Sequence, residues 1–364
     1  MSHIVIDARI ISSTTGRYVE RLLHHLENID STNSYTVLVR KKDEKYWAPT
    51  NPNFRINIAE FDSYSFNEQY GLLRVLNSLK ADLVHFTMPQ QPILYRGKKV
   101  TTFHDLTLLK TYNPDKNWLI YKSKQFIGRF VFWQVANSSR AIIVPTDFTK
   151  NEVLERYRLS SEKVIRTYEA AELKTTGSDA YPLPSANFIL FVGQQSDYKN
   201  ARGLAAAHQS LLKKYPDLYL VLAGKIDSPA QKNQVYFKKL GYKNIIFTGF
   251  VSDDQLNWLY QHTKVYVFPS FMEGFGLMGL EAMLQGAPVA SSDATCLPEV
   301  YGEAAAYFDP AKPEEIASTI EQIMTDEQLR SRLVASGYEQ VKKYSWKRMA
   351  EQTLDVYNQA LNKN

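Results

Sequence analysis

Short runs of consecutive apolar, β-branched and aromatic residues alternate along the chain with longer stretches in which apolar residues recur every three or four positions. The short runs are the length of buried strands and the longer ones have the period of amphipathic helices. In the first half strands are predicted at 3–11, 35–40, 82–86, 99–103 and 141–145, with helices near 17–28, 66–79, 115–138 and 147–157. A second series follows the turn-rich segment 175–187, with strands at 188–193, 219–224, 244–249, 265–270 and 288–292. Strict alternation of strand and helix calls for parallel sheets with helices on both faces. The expected fold class is α/β, with two doubly wound Rossmann-like domains. Three strands of the second series end on Gly193, Gly224 and Gly249, which suits a tight turn from a strand into a helix. The carboxyl ends of the two sheets are expected to face a shared cleft, where such folds bind ligands. Near the end of the chain, Trp346, Ala350, Thr353, Leu354, Tyr357 and Leu361 fall on one face of a helix that Ser345 can cap.

Composition narrows the classes. Of 364 residues 44% are hydrophobic and 22% charged, a globular balance, and at about 100–200 residues per domain the length suits two domains. No apolar run is long enough to span a bilayer, and the start has no export-signal pattern, so a cytoplasmic protein is expected. The single cysteine, Cys296, excludes a disulfide framework and a cysteine-based zinc site. Residues 1–182 hold 25 Lys and Arg against 19 Asp and Glu, and residues 183–364 hold 18 against 19. A basic first half can face phosphates, an acidic polymer or a membrane surface, or be an ordinary solvated surface. No nucleic-acid reader motif accompanies it.

The densest candidate chemistry lies at 269–289. There Glu273 and Glu281 are separated by seven residues that include Gly274, Gly276 and Gly279. A strand, a glycine-permissive turn and a helix start expose backbone N–H groups and a partial positive charge, which together suit a phosphate. The two carboxylates could then take hydroxyls on either side of it, a sugar's and a ribose's. A lone glutamate at a helix start is more simply a cap; the whole string is not.

That string closely resembles the signature of retaining glycosyltransferases of family four, which have the GT-B fold, and further similarities run along nearly the whole chain. Residues 247–270 resemble the family's nucleotide-contacting turn and following helix, and 297–310 the segment after the signature. Residues 103–109 are similar to its His-Asp motif and 191–200 to its phosphate-binding loop. The resemblance implies an acceptor-side domain of residues 1–175, a donor domain of 183–345, and a final helix (about 346–364) crossing back to the first. It implies that Glu273 accepts hydrogen bonds from the donor sugar, near the N–H groups of Gly274, Phe275, Gly276 and Leu277, and that Glu281 holds the ribose. Val251 would contact the base with help from Asp253, and Lys199 would neutralise the leaving diphosphate. Gly16 would let the first loop approach the phosphates. His104 by itself fits a buried imidazole bonded to a backbone carbonyl; the resemblance places it beside the anomeric centre. His85 keeps the structural reading, and Asp105 orients a loop.

The implied reaction is retaining hexosyl transfer from a nucleoside-diphosphate sugar, of GDP-mannose or UDP-glucose type, to a glycan, lipid-linked or small acceptor. A fixed cation and a helix N-terminus stabilise the departing diphosphate, and the sugar becomes oxocarbenium-like. No metal or other cofactor is expected, because Lys199 supplies the charge and no Asp-x-Asp or His-cluster site is evident. The chain departs from the family at the single glycine of loop 11–16 and at Gln194 and Tyr198, where an arginine is usual, so that Arg202 becomes a candidate for the missing charge. It departs also at 164–173, which bears on the hinge. The basic, aromatic stretch 116–135, with Lys116, Lys122, Lys124 and Arg129, could lie on anionic lipid at the inner face of the membrane or pack on the sheet. A non-catalytic glycosyltransferase-like subunit and a sugar-nucleotide epimerase on the same fold are the competing readings. The absent export pattern disfavours a sugar-binding receptor.

Overall fold

A computed structural model describes residues 1–62, 65–110, 118–173 and 175–362, with only the backbone of 118–124. The chain divides into two units, Met1–Glu169 with Ser345–Asn364, and Ala170–Tyr344.

The first unit runs β1 (His3–Asp7), α1 (Gly16–Ile29), β2 (Ser34–Val39), β3 (Phe54–Ile58), a π-helical turn (Glu68–Leu72), α2 (Leu73–Leu79), β4 (Leu83–Phe86), β5 (Lys99–Thr102), α3 (Thr107–Lys110), α4 (Trp118–Ser138), β6 (Ala141–Val144), α5 (Asp147–Tyr157) and β7 (Val164–Arg166). Its seven strands are parallel, in the order β3-β2-β1-β4-β5-β6-β7. The order reverses between β1 and β4, which defines the switch point of a doubly wound sheet. Thr146 starts α5 by accepting from the Thr149 N–H (3.1 Å), as an N-cap should.

The second unit runs β8 (Phe188–Val192), α6 (Ala201–Leu211), β9 (Tyr219–Ala223), α7 (Ser228–Lys239), β10 (Ile245–Gly249), α8 (Asp253–His262), β11 (Val265–Phe268), α9 (Leu277–Leu284), β12 (Val289–Ser292), α10 (Leu297–Tyr301), β13 (Ala305–Phe308), α11 (Pro313–Thr325) and α12 (Glu327–Val341). Its six parallel strands are ordered β10-β9-β8-β11-β12-β13, with the switch point between β8 and β11. Alternation along the strands explains why both faces are covered. Ile189, Phe191, Val265 and Val267 pack with Leu204 of α6 and Ile316 and Ile320 of α11. The intervening Phe188 stacks on Trp258, and Tyr266 and Phe268 meet Tyr260 and Tyr301.

The last helix, α13 (Trp346–Asn362), belongs to the first unit and packs on α1. Ser345 caps it at the Arg348 N–H (3.3 Å). Its buried face is Trp346, Met349, Ala350, Thr353, Val356, Tyr357 and Ala360. Leu354 and Leu361, expected there, sit half-buried at its margin, and Met349 and Val356 fill the face instead. Three strands were not foreseen, β3, β7 and β13, and each is an edge strand. Lys116 of the basic stretch lies outside the described residues, as do the side chains of Lys122 and Lys124.

Candidate active site

The strand order of the second unit explains how two distant loops meet. β8 and β11 are neighbours at its switch point, and loops leaving the carboxyl ends there line the ligand edge of such a sheet. Lys199, from the loop after β8, ends a 3-10 turn and is followed by Asn200 at φ +56°. Asparagine accommodates that left-handed backbone. Its side chain accepts from the Gly203 N–H (3.2 Å) to start α6 and donates to the Pro310 carbonyl (2.7 Å). Glu273 comes from the loop after β11. The Lys199 ammonium donates to its Oε1 at 2.6 Å and lies 5.5 Å from the Phe268 ring centre. Both side chains are largely shielded, 18% and 11% exposed, so salt screens this pair less than a surface pair.

Glu273 is fixed through its backbone as well. Its N–H donates to Thr295 Oγ1 (3.2 Å), and its carbonyl accepts from the Cys296 thiol (3.4 Å). Burial pushes that thiol well above its ordinary range, and the negative charge of Glu273 adds to the effect, so it remains a donor. Thr295 stands at φ +58°, a conformation β-branched residues avoid at a cost of about 1–3 kcal/mol.

The turn then enters α9, with Gly276 as its N-cap at φ +88°. A Cβ at Gly276 would lie 2.5 Å from the Tyr301 hydroxyl and 2.6 Å from Leu297, and one at Gly279 would lie 2.3 Å from the Tyr301 ring. The Tyr301 hydroxyl donates to the Gly276 carbonyl. The packing of Tyr301 beneath α9 therefore requires glycine at both positions. Gly274 and Phe275 are buried, with the Phe275 ring edge-on to Tyr344 (5.6 Å). Leu277 opens α9 and Glu281, buried, is its fifth residue. Val251 is half-buried, and Asp253 opens α8 where Ser252 and Gln255 cap each other reciprocally. Arg202, the candidate for extra charge, is held against α7 instead: its Nε donates to Asn233 (2.9 Å) and its guanidinium lies 4.6 Å from the Tyr236 ring centre.

In the first unit, Gly16 begins α1 so close to the preceding loop that a Cβ would fall 1.9 Å from the Ile11 carbonyl oxygen. Only glycine permits that start, which puts Tyr18 edge-on against the His104 ring (4.9 Å). His104 Nε2 lies 3.0 Å from the Thr87 carbonyl oxygen, and Nδ1 lies 3.4 Å from Glu169 Oε1. His85 is fully buried between the Tyr357 hydroxyl (2.6 Å) and Thr102 Oγ1 (2.8 Å). Burial, then the nearby His104, lowers its pKa to about 3, which suits the structural role expected for it. Asp105 accepts from the Thr107 N–H (2.8 Å) and so orders the start of α3.

Among the described residues no group of three His, Cys, Asp or Glu side chains could hold a metal ion, and no helix is long and apolar enough to cross a membrane. The sequence reading missed Thr295, Tyr301 and Glu169. Two of them had a signal: Glu169 falls in the segment 164–173 that departs from the family pattern, and Tyr301 in the segment 297–310 that matches it.

The family described as Glycosyl transferases group 1 matches residues 179–340, and Glycosyltransferase Family 4 matches residues 15–171. The O-antigen chain mannosyltransferase B of Escherichia coli is 30% identical over 275 residues, 71% of this chain and 70% of that protein. The serotype-specific mannosyltransferase WbdA of Escherichia coli is 32% identical over 280 residues, 72% of this chain but 34% of that longer protein. Among solved structures, a sucrose-phosphate synthase from Thermosynechococcus elongatus superposes with a TM-score of 0.79 at 18% identity, covering 99% of both chains. Anabaena Alr3699/HepE in complex with UDP-glucose gives 0.72 at 16% identity, over 99% of this chain and all of that one. At such identities the likeness concerns the fold.

Proposed function

The chain belongs to the family 4 glycosyltransferases and has their GT-B fold, and from that premise we propose that it transfers a mannosyl group, with retention, from GDP-mannose to a mannose-containing glycan. The mannosyl choice rests on the names of the two Escherichia coli relatives. The observation that carries the site is the Lys199–Glu273 pair across the switch point of the second sheet.

In this reading the donor pyrophosphate takes over Lys199, while Glu273 turns its acceptor oxygens to the sugar hydroxyls. As the bond from the anomeric carbon to the phosphate oxygen breaks, negative charge grows on the diphosphate, where Lys199 and the start of α9 stabilise it. The acceptor hydroxyl attacks the same face of the sugar, and its proton passes to the departing phosphate oxygen. Glu281 binds the ribose, and Val251 and Asp253 bind the base. No metal is required, since the ammonium meets the charge. His104 serves the transfer step.

The acceptor side is proposed to rest on an anionic bilayer. Phe126, Ile127, Phe130 and Trp133 of α4 are 76%, 60%, 51% and 50% exposed, at the spacing of one helix face, while Phe132, Val135 and Ala136 supply the buried face. Lys and Arg outnumber Asp and Glu by 27 to 19 in the first unit and are outnumbered 16 to 19 in the second, so the apolar stripe belongs to the unit whose charge attracts anionic lipid.

Thermal unfolding against a panel of nucleotide sugars, followed by product analysis, tests the reading. GDP-mannose is expected to raise the midpoint most and to yield an α-linked product in the presence of EDTA. An inverted anomer or a metal requirement would overturn the mechanism, and stronger stabilisation by UDP-glucose the mannosyl choice. Co-sedimentation with anionic vesicles should be lost in a Phe130→Ser, Trp133→Ser double variant; equal binding by that variant would rule out the lipid surface.

A further inference from the structure

His104 is gripped from three elements, and one grip comes from a residue the reaction does not otherwise call on. Glu169 lies three residues beyond β7, and His104 two beyond β5. β5, β6 and β7 are successive parallel strands, so both residues emerge at the same edge of the sheet. Backbone bonds hold the two segments there: Phe103 N–H donates to the Ile143 carbonyl (2.8 Å) and Thr167 N–H to the Val144 carbonyl (2.9 Å). Between them Arg166 lies over the Tyr168 ring (3.9 Å from its centre), bonds its hydroxyl (2.6 Å) and pairs with Asp147 (2.6 Å). Glu169 follows directly on that clamp and faces His104. Both side chains of the contact are 12% exposed. The Thr87 carbonyl can only accept, so Nε2 of the ring carries the proton in that bond. Nδ1 faces Glu169 at 3.4 Å; a carboxylate also only accepts, so this contact pairs charges when Nδ1 carries the ring's second proton. Tyr18, edge-on to the ring, is engaged through its hydroxyl with Thr102 (3.0 Å), so it packs against the imidazole without competing for Nδ1.

We propose that Glu169 is a positioning residue for the transfer, its carboxylate drawing the Nδ1 side of the His104 ring when that nitrogen carries a proton, while Thr87 holds Nε2. The inference rests on the proposed role of His104 in transfer and adds the group that sets its ring. A ring anchored at one nitrogen alone can pivot about that bond. A displacement of about 1 Å in a reacting group can cost about 100-fold in rate, so the second anchor matters to turnover even though it lies behind the ring.

The test is a double-mutant cycle on the full chain, with GDP-mannose as donor and a short mannose oligosaccharide as acceptor. Glu169→Gln, which keeps the size and removes the charge, is expected to lower kcat by about 10- to 100-fold, with donor KM within about 2-fold and an unchanged unfolding midpoint. In a His104→Ala background the same substitution is expected to have no further effect, because residues that act through one another are not additive. Glu169→Asp should recover part of the loss. A readout free of turnover is the nitrogen NMR signal of His104 Nδ1, which should move in Glu169→Gln while that of His208 stays. Wild-type kcat in Glu169→Gln, an equal loss in both backgrounds, or an unmoved Nδ1 signal would overturn the inference. Wild-type kcat in His104→Ala would instead overturn the role of His104 itself, whatever the NMR signal shows.

Discussion

The two units share a strand order up to their sixth strand and use its switch point in opposite ways. In the first sheet the loops leaving β1 and β4 are tied together by the protein's own charges. Arg9 pairs with Asp7 (2.7 Å) and with Glu68 of the π-helical turn (2.9 Å), and Gln90 donates to Glu68 (2.9 Å), all of them buried. In the second sheet the loops at the same topological place hold one ammonium and one carboxylate, each with some surface left open. A doubly wound sheet offers a ligand site at its switch point; whether the site remains available depends on whether the chain supplies its own counter-charges there. The first unit has supplied them and carries its candidate group, His104, one strand further along. The second has kept a single pair with some surface open, the pair at which the donor pyrophosphate is proposed to bind.

The comparison can be broken most directly at Arg9. Removing one partner from a buried charge network leaves the others uncompensated, at about 3–5 kcal/mol, so Arg9→Met should lower the chemical-denaturation stability by that amount while leaving donor affinity in the folded protein unchanged. A loss of donor affinity would mean that the first switch point is itself a ligand site. At the second switch point the reverse is expected. Lys199→Ala and Glu273→Ala should each reduce kcat by about 100-fold or more, and near-normal turnover in both would remove the donor assignment.

A buried neutral histidine in each unit sharpens the comparison through pH. Burial lowers His85 to about 3 and His208 to about 4, whereas in the unfolded chain both titrate near 6.5. Below that pH the unfolded state binds more protons, so stability falls as pH drops from 6.5 towards 4 and 3. Between pH 7 and 5 each should cost about 2 kcal/mol, visible as a falling unfolding midpoint that His208→Gln makes shallower. An equally steep fall in that variant would show that His208 contributes nothing. The smallest effect belongs to Arg202→Ala. With its side chain spent on Asn233 and Tyr236, kcat should change by less than about 2-fold, with up to about 1 kcal/mol lost from stability. A large fall in kcat would restore Arg202 to the phosphate site.

Legibility followed burial. Central strands such as β1, β4, β8 and β11 are apolar on both faces and stand out as runs of Val, Ile, Leu and Phe. Of the four edge strands, β10 is legible from its Ile245, Ile246 and Phe247. The other three, β3, β7 and β13, were missed, and β3 carries the exposed Arg55 and β7 the half-buried Arg166. Their pattern is close to that of a loop. The π-helical turn at Glu68 was hidden too, and the partner of Glu68, Arg9, lies 59 residues away in the chain. Glu273 and Lys199 could be named from their motifs, yet Thr295 could not, because nothing local announces that a threonine will adopt φ +58° to reach the Glu273 N–H. Gly276 and Gly279 stand out in the motif, but that the ring of Tyr301 also requires them could not be read from it.

The sequence alone determined the alternation of strands and helices, the family, and which residues are candidates for the site, because periodicity and motif spacing are local properties of a chain. Tertiary structure decided which charges meet. Lys199 finds Glu273, 74 residues away, because their strands are neighbours at a switch point, and His104 finds Glu169 because their strands lie two apart in one sheet. Side-chain partnership across a parallel sheet follows the order of strands, which no short stretch of sequence encodes.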